Sequence, residues 1–183
     1  MTAPNNIPTA VIQQAARGDA DAQAWLYRQY SKAMFNICVR MTGNIPHAED
    51  VLHDAFITAF KNLANLKQAD AFGGWLKRIV VNACINHSKK NIQWHELNEE
   101  GLDMIADDTT EWWATISLAD VHREIRKLPE GCRQIFVLYA MEDNSHKEIA
   151  LQLGISESTS KSQYHRAKKL LRERINTQIV AHG

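Results

Sequence analysis

No stretch of this 183-residue chain approaches the roughly 18 consecutive apolar residues of a membrane-crossing helix, so a membrane span is not expected. The N-terminal stretch also lacks the basic segment followed by an apolar one that marks a secretory signal, and the expectation is a cytoplasmic protein. Cysteine is scarce: Cys38, Cys84 and Cys132 are odd in number, far apart and outside any CxxC spacing. That excludes a disulfide framework and predicts reduced thiols buried as small apolar residues. Strand-like alternation is nowhere sustained. A nucleotide-binding glycine loop, a zinc spacing and a nucleophile motif are all missing, so neither catalysis nor a cofactor is expected. The histidines are scattered; His47 and His53 flank Glu49 and Asp50 but would sit nearly two helical turns apart, and no metal site is expected.

Net charge is also absent, with 21 basic and 21 acidic residues, but the sum hides a pattern. Residues 1–90 carry 10 Lys/Arg against 6 Asp/Glu, residues 91–120 carry 8 acids and no base, and residues 121–183 carry 11 bases against 7 acids. Two basic blocks about an acidic strip imply two modules and a connector. What fills the modules is helical periodicity. Thr9 is placed to cap a short helix through Arg17, with Gly18 ending it. Asp19 caps a long helix to about Met41 with Leu26, Tyr30, Ala33, Ile37 and Met41 inward, and Gly43-Asn44 stops it. Pro46 suits the first turn of the next helix, where Glu49 and Asp50 complement its positive end. Val51, Leu52, Ala55, Phe56, Ala59, Phe60 and Leu63 form its buried stripe. Asp70 opens a helix through about Lys90 with Phe72, Trp75, Leu76, Ile79, Ala83 and Cys84 inward. The prediction is all-α: two small helical domains, 1–90 and 116–183, joined by an acidic flexible linker over 91–115. Trp112-Trp113 in that linker are open to several readings: an anchor to a partner, or a cap on the second domain.

The second module carries the sharpest motif. Leu118, Val121, Ile125 and Leu128 restore the pattern, Pro129 breaks it, and Ile135, Phe136, Leu138 and Tyr139 begin another helix. Ser145 with Glu148 then reads as a capping box, Ile149, Ala150 and Leu153 as an inward face, and Gly154 as a left-handed exit. Ile155 plugs the turn and Ser156 caps the following helix. From Ser158 to Arg174 there are 6 bases and 1 acid. That is the sequence form of a helix-turn-helix, which delivers its second helix into the major groove of DNA. A solvated amphipathic helix pair is the alternative; the coincidence of cap, glycine, spacing and charge favours DNA. Lys161, Ser162, His165 and Arg166 are spaced to share an outward face that reaches base edges, with Ser158, Thr159 and the more distal bases, Lys169 among them, on phosphates.

Three segments read together resemble the extracytoplasmic-function group of bacterial sigma factors: Ala48 to Phe56, Phe72 to Asn82, and Leu128-Pro129 through the helix-turn-helix to Leu170. The likeness spans about Gly18 to Ile175. It implies a first domain that binds core RNA polymerase, through its β′ and β subunits, and opens the −10 promoter element. It implies a second domain that reads the −35 element, and often an anti-sigma factor that masks both. Asp50, His53 and Asp54 fall where this family meets the β′ clamp helices; the family usually has Gln where this chain has His53. Lys77, Arg78, Asn82, Asn86 and Lys89 form a polar stripe suited to melted −10 DNA, amides for unstacked base edges and bases for the backbone. The −10 recognition loop would be about Asn65 to Gly73. Trp75 reads as core rather than as a base-stacking residue. Two other functions compete: a helix-turn-helix regulator that never binds polymerase, and a DNA-processing enzyme.

Overall fold

Every regular element among the described residues is helical, and none is a strand. The computed structural model describes residues 7–89, Ile92, Trp94 and 117–182. The acidic connector, apart from Ile92 and Trp94, lies outside them, as do Trp112, Trp113 and Lys90. The chain divides into two compact units, Met1–His87 and Ser88–Gly183.

In the first unit, α1 (Thr9–Ala16) begins with Pro8 at its N-cap, so Thr9 is the first helical residue and not the cap. Pro8 suits that boundary because its fixed φ is already near the helical value. Helix α2 (Ala20–Thr42) starts at Asp19, whose carboxylate accepts from the Ala22 N–H at 2.8 Å, and ends at Gly43. Its inward face is Leu26, Tyr30, Met34, Ile37, Cys38 and Met41. Ala33 is exposed instead, because the 3.6-residue repeat carried on from Leu26 and Tyr30 lands on Met34. Asn44 does more than stop α2: its side chain accepts from the His47 N–H at 3.1 Å and so caps α3 (Ile45–Asn62).

Helix α3 buries Val51, Leu52, Ala55, Phe56 and Ala59 along α2, with Phe60 half-buried and Leu63 in the 3-10 turn that follows. Asp70 lies in a second 3-10 turn, Ala69–Ala71, and α4 (Phe72–Ser88) begins at Phe72 rather than at Asp70. Phe72 is fully buried with its ring edge-on to Tyr30 at 5.1 Å. Gly73 lets that approach occur: a Cβ there would stand 3.2 Å from Cε1 of Tyr30. Leu76, Val80, Val81, Cys84 and Ile85 are buried, while Trp75, Ile79 and Ala83 are half-buried. Each fully buried Leu, Met or Phe contributes about 1.5–3 kcal/mol of burial, before conformational entropy is counted. All three cysteines are buried and free.

In the second unit, α5 (Leu118–Arg126) is capped by Ser117, and α6 (Glu130–Ala140) follows Pro129, the point where the pattern breaks. Helix α6 is buried from Cys132 to Leu138, polar Arg133 and Gln134 included. Arg133 donates to the carbonyls of Arg126 (3.2 Å) and Leu128 (2.8 Å), and burial pulls its pKa down. Helix α7 (His146–Leu153) carries the predicted capping box. Ser145 Oγ accepts from the Glu148 N–H at 3.3 Å, and Glu148 accepts from the Ser145 N–H at 2.8 Å. The Ser145 hydroxyl, donating to the same carboxylate at 2.7 Å, and then the Ser145 N–H hold the Glu148 carboxyl below its ordinary range.

The exit from α7 is left-handed: Gly154 has φ +70°, and its N–H and that of Ile155 both donate to the Ala150 carbonyl. An added Cβ would meet nothing within 4 Å, so only backbone strain resists substitution. Gly154→Ala is expected to cost about 1–2 kcal/mol of stability. Denaturant unfolding of the purified chain checks this; an unchanged midpoint would mean that the turn does not need this conformation.

Candidate nucleic-acid interface

Helix α8 (Glu157–His182) crosses the second unit against α6, α7 and α5. Ser156 caps it, accepting from the Thr159 N–H at 3.0 Å. Ala167, Leu171 and Ile175 are its buried apolar residues. Stepping back from Ala167 by four residues reaches Gln163 and then Thr159, and both are buried, as are Ser160 and Ser162. Each finds a partner inside. Ser162 Oγ donates to the Thr159 carbonyl at 3.0 Å, Thr159 Oγ1 lies 2.8 Å from Ser156 Oγ, and Cys132 Sγ donates to Gln163 Oε1 at 3.0 Å. Ser162 therefore does not share the outward face of Lys161, and Thr159 is turned inward with it. Hydroxyls at these positions satisfy the crossing of α7 and α8 without leaving a bare buried polar group.

Ser158, Lys161, Arg166, Lys169 and Arg172 of α8 are exposed, as are Glu157, Glu173, Asn176 and Thr177, and His165 is half-exposed. Lys161 is paired: its Nζ lies 2.8 Å from Oε1 of Glu157, one turn earlier. Hydrogen bonding to Lys161, then its charge, keeps the Glu157 carboxyl below its usual range. Both side chains are about half exposed, so the bond is weak, and another acceptor can replace the carboxylate at small cost. The sequence gives this pairing away through its i,i+4 Glu-Lys spacing.

In the first unit, Arg78, Asn82 and Asn86 are exposed at every fourth position of α4, and Lys89 continues beyond its end. Lys77, beside them, is half-buried. The His47 and His87 rings lie 5.0 Å apart, which brings the start of α3 against the end of α4, next to Asn86. Amides on one edge and bases beside them are the groups that can bond unstacked base edges and phosphates.

On α3, Asp50, His53 and Asp54 are all exposed while their neighbours Val51, Leu52, Ala55 and Phe56 are buried. The first turn of α3 contains no acid, because the helix begins at Ile45 and places Glu49 and Asp50 in the second turn. Neutralising the helix dipole, which acts within the first turn, therefore does not account for them. Ile57, 38 % exposed, extends the same strip at the i+3 and i+4 spacings from Asp54 and His53. The helical spacing leaves it out of the buried stripe, and a single Ile on a polar face has no residue signature that would single it out. Among the described residues no cluster of three or more His, Cys, Asp or Glu side chains is placed to hold a metal ion. No described helix is long and apolar enough to cross a membrane.

Comparisons with known proteins fall on these same two units. Residues 26–93 match the family described as Sigma-70 region 2, and residues 118–171 match Sigma-70, region 4. The chain is 32% identical to the ECF RNA polymerase sigma factor SigW of Bacillus subtilis over 176 residues, covering 90% of this chain and 94% of SigW. It is 30% identical over 178 residues to the ECF RNA polymerase sigma factor SigE of Mycolicibacterium smegmatis, covering 93% of this chain and 69% of SigE. Among solved structures, the fold resembles the sigma factor RpoE in complex with the anti-sigma factor NepR from Bartonella quintana. There the TM-score is 0.51 at 17% identity, over 84% of this chain and 96% of that one.

Proposed function

We propose, from the premise that this chain belongs to the extracytoplasmic-function family of RNA polymerase sigma factors, how its two helical units direct core RNA polymerase to promoters. The second unit lays α8 in the major groove of the −35 element. Lys161, His165 and Arg166 approach base edges, and Ser158 and Lys169 hold phosphates. Thr159 and Ser162 support the helix from behind. The first unit grips the polymerase with Asp50, His53, Asp54 and Ile57 on α3. It receives the unpaired −10 strand on Arg78, Asn82, Asn86 and Lys89, with Lys77 at the margin.

One observation supports this division above the others. On all three helices the residues assigned to a partner are exposed, or half-exposed at His165 and Lys77, while the residues one step around the helix are packed. Phosphodiester synthesis belongs to the polymerase; this chain supplies binding energy for promoter capture and strand opening. It acts in the cytoplasm, where polymerase and chromosome are. The resemblance to a sigma factor held by NepR supports an anti-sigma partner here too, one that covers these faces until released.

The test is assembly. Mixed with purified core polymerase and a promoter fragment selected from a random-sequence pool, the chain is expected to form one ternary complex. That complex protects the −35 segment from nuclease and makes thymines at −10 reactive to permanganate. A complex that forms on DNA equally well without polymerase, with no reactive thymines, would overturn it.

A further inference from the structure

We propose that His146 is a positioning residue for −35 recognition: its ring clamps the first turns of α8 to α7 and α6, and protonation loosens the clamp. This rests on α8 being the −35 reader. His146 is the first residue of α7, and its imidazole lies flat on Tyr139 of α6, with centroids 4.2 Å apart and planes at 15°. Tyr164 of α8 meets Tyr139 at 4.5 Å and stands edge-on to His146 at 5.7 Å. Phe136 stacks on Tyr164 from α6, and Nζ of Lys168 covers the Tyr164 ring at 5.1 Å. The imidazole Nδ1 lies 2.9 Å from Oγ of Ser160, a buried residue immediately before Lys161. One ring of α7 thus touches two other helices, α6 and α8, next to a residue assigned to the base edges.

Its charge state follows from the same surroundings. With the ring neutral and its proton on Nε2, Nδ1 accepts the Ser160 hydroxyl proton. A protonated ring makes Nδ1 a donor, and the buried hydroxyl must then turn its own hydrogen elsewhere. The groups facing the ring are Tyr139 from α6 and Ser160, Tyr164, Lys161 and Glu157 from α8; Lys168 lies over the Tyr164 ring, and Lys147 follows His146 on α7. Burial and then Lys161 hold the pKa of His146 below its ordinary 6.5, with Glu157 opposing them. A cation would also stand at the positive end of α7. The clamp is therefore complete above the ordinary histidine pKa and is lost as pH falls through the lowered, folded-state value.

The experiment measures binding of holoenzyme, made with wild-type, His146→Phe or Lys161→Ala/Arg166→Ala chain, to two fragments. One is a promoter selected by the wild-type holoenzyme from a random-sequence pool; the other is the same fragment with its −35 segment scrambled. The ratio of the two affinities cancels pH effects on the polymerase. For wild type the ratio is expected to fall several-fold, about 3–10-fold, between about pH 7.5 and about pH 5.5. His146→Phe keeps a flat ring on Tyr139 but cannot titrate, so its ratio is expected to be lower at the upper pH and to fall by a smaller factor than the wild type's, since both chains keep His165 at the base edges. Parallel profiles, or a wild-type ratio that rises on acidification, would overturn the clamp. A Lys161→Ala/Arg166→Ala ratio as high as the wild type's would instead overturn the reading of α8, so the two failures are told apart. Thermal unfolding of each chain separates a lost clamp from a lost fold.

Discussion

Lys161→Ala with Arg166→Ala is expected to remove −35 dependence while leaving polymerase binding intact. Specific contacts to base edges are each worth about 1–3 kcal/mol, so losing both is expected to weaken −35-dependent promoter binding on the order of a hundredfold or more. Neither residue is a packing residue: both are exposed, and the Lys161 partner Glu157 is itself exposed. The affected helix still rests on Ala167, Leu171 and Ile175, so the second unit stays folded. The salt dependence of the remaining, sequence-independent binding discriminates further. A base-edge role leaves its slope nearly unchanged, while a phosphate role lowers it by about one for each contact removed. Competition against a labelled sigma factor for core polymerase checks the other half; weaker competition by this variant would contradict the separation of duties.

Asp50→Ala with Asp54→Ala is expected to do the reverse, weakening capture of core polymerase on the order of a hundredfold while the isolated second unit's contact with −35 DNA is untouched. Truncating one partner of a desolvated interfacial charge pair costs about 2–5 kcal/mol, mostly because the other charge is left buried and unpaired. The free chain has little to lose at these positions. Both carboxylates are exposed, lie beyond the first turn of α3, and are replaced by a residue with higher helix propensity. Unchanged competition for polymerase by this variant would remove α3 from the interface.

How much of this was written in the sequence differs between packing and polarity. The capping box at Ser145 and Glu148, the left-handed exit at Gly154 and the cap at Asp19 were legible because each is a local device with its own residue signature. The buried stripe of α3 was legible from spacing alone. Errors arose where polarity was taken for exposure. Thr159 and Ser162 are hydroxyl residues in a basic stretch, yet they face inward because a hydroxyl can return its hydrogen bond to a cap or a carbonyl of its own helix. The signal was present: four-residue steps back from Ala167 lead to Gln163 and Thr159. Ile57 was rightly left out of the buried stripe, but as an apolar residue facing out among acids it carried no signature of a role. The three-helix contact at His146 could not be read, since it depends on how α6 crosses α8 and not on any spacing within one helix.

The most direct measurement is run-off transcription by purified core polymerase on the pool-selected promoter, with and without this chain. Discrete transcripts from one start site should appear only when the chain is added, and vanish with either double variant. A chain that binds the fragment yet leaves the polymerase silent would be a regulator of another kind, and the assignment of α3 and α4 to polymerase and melted DNA would fall with it.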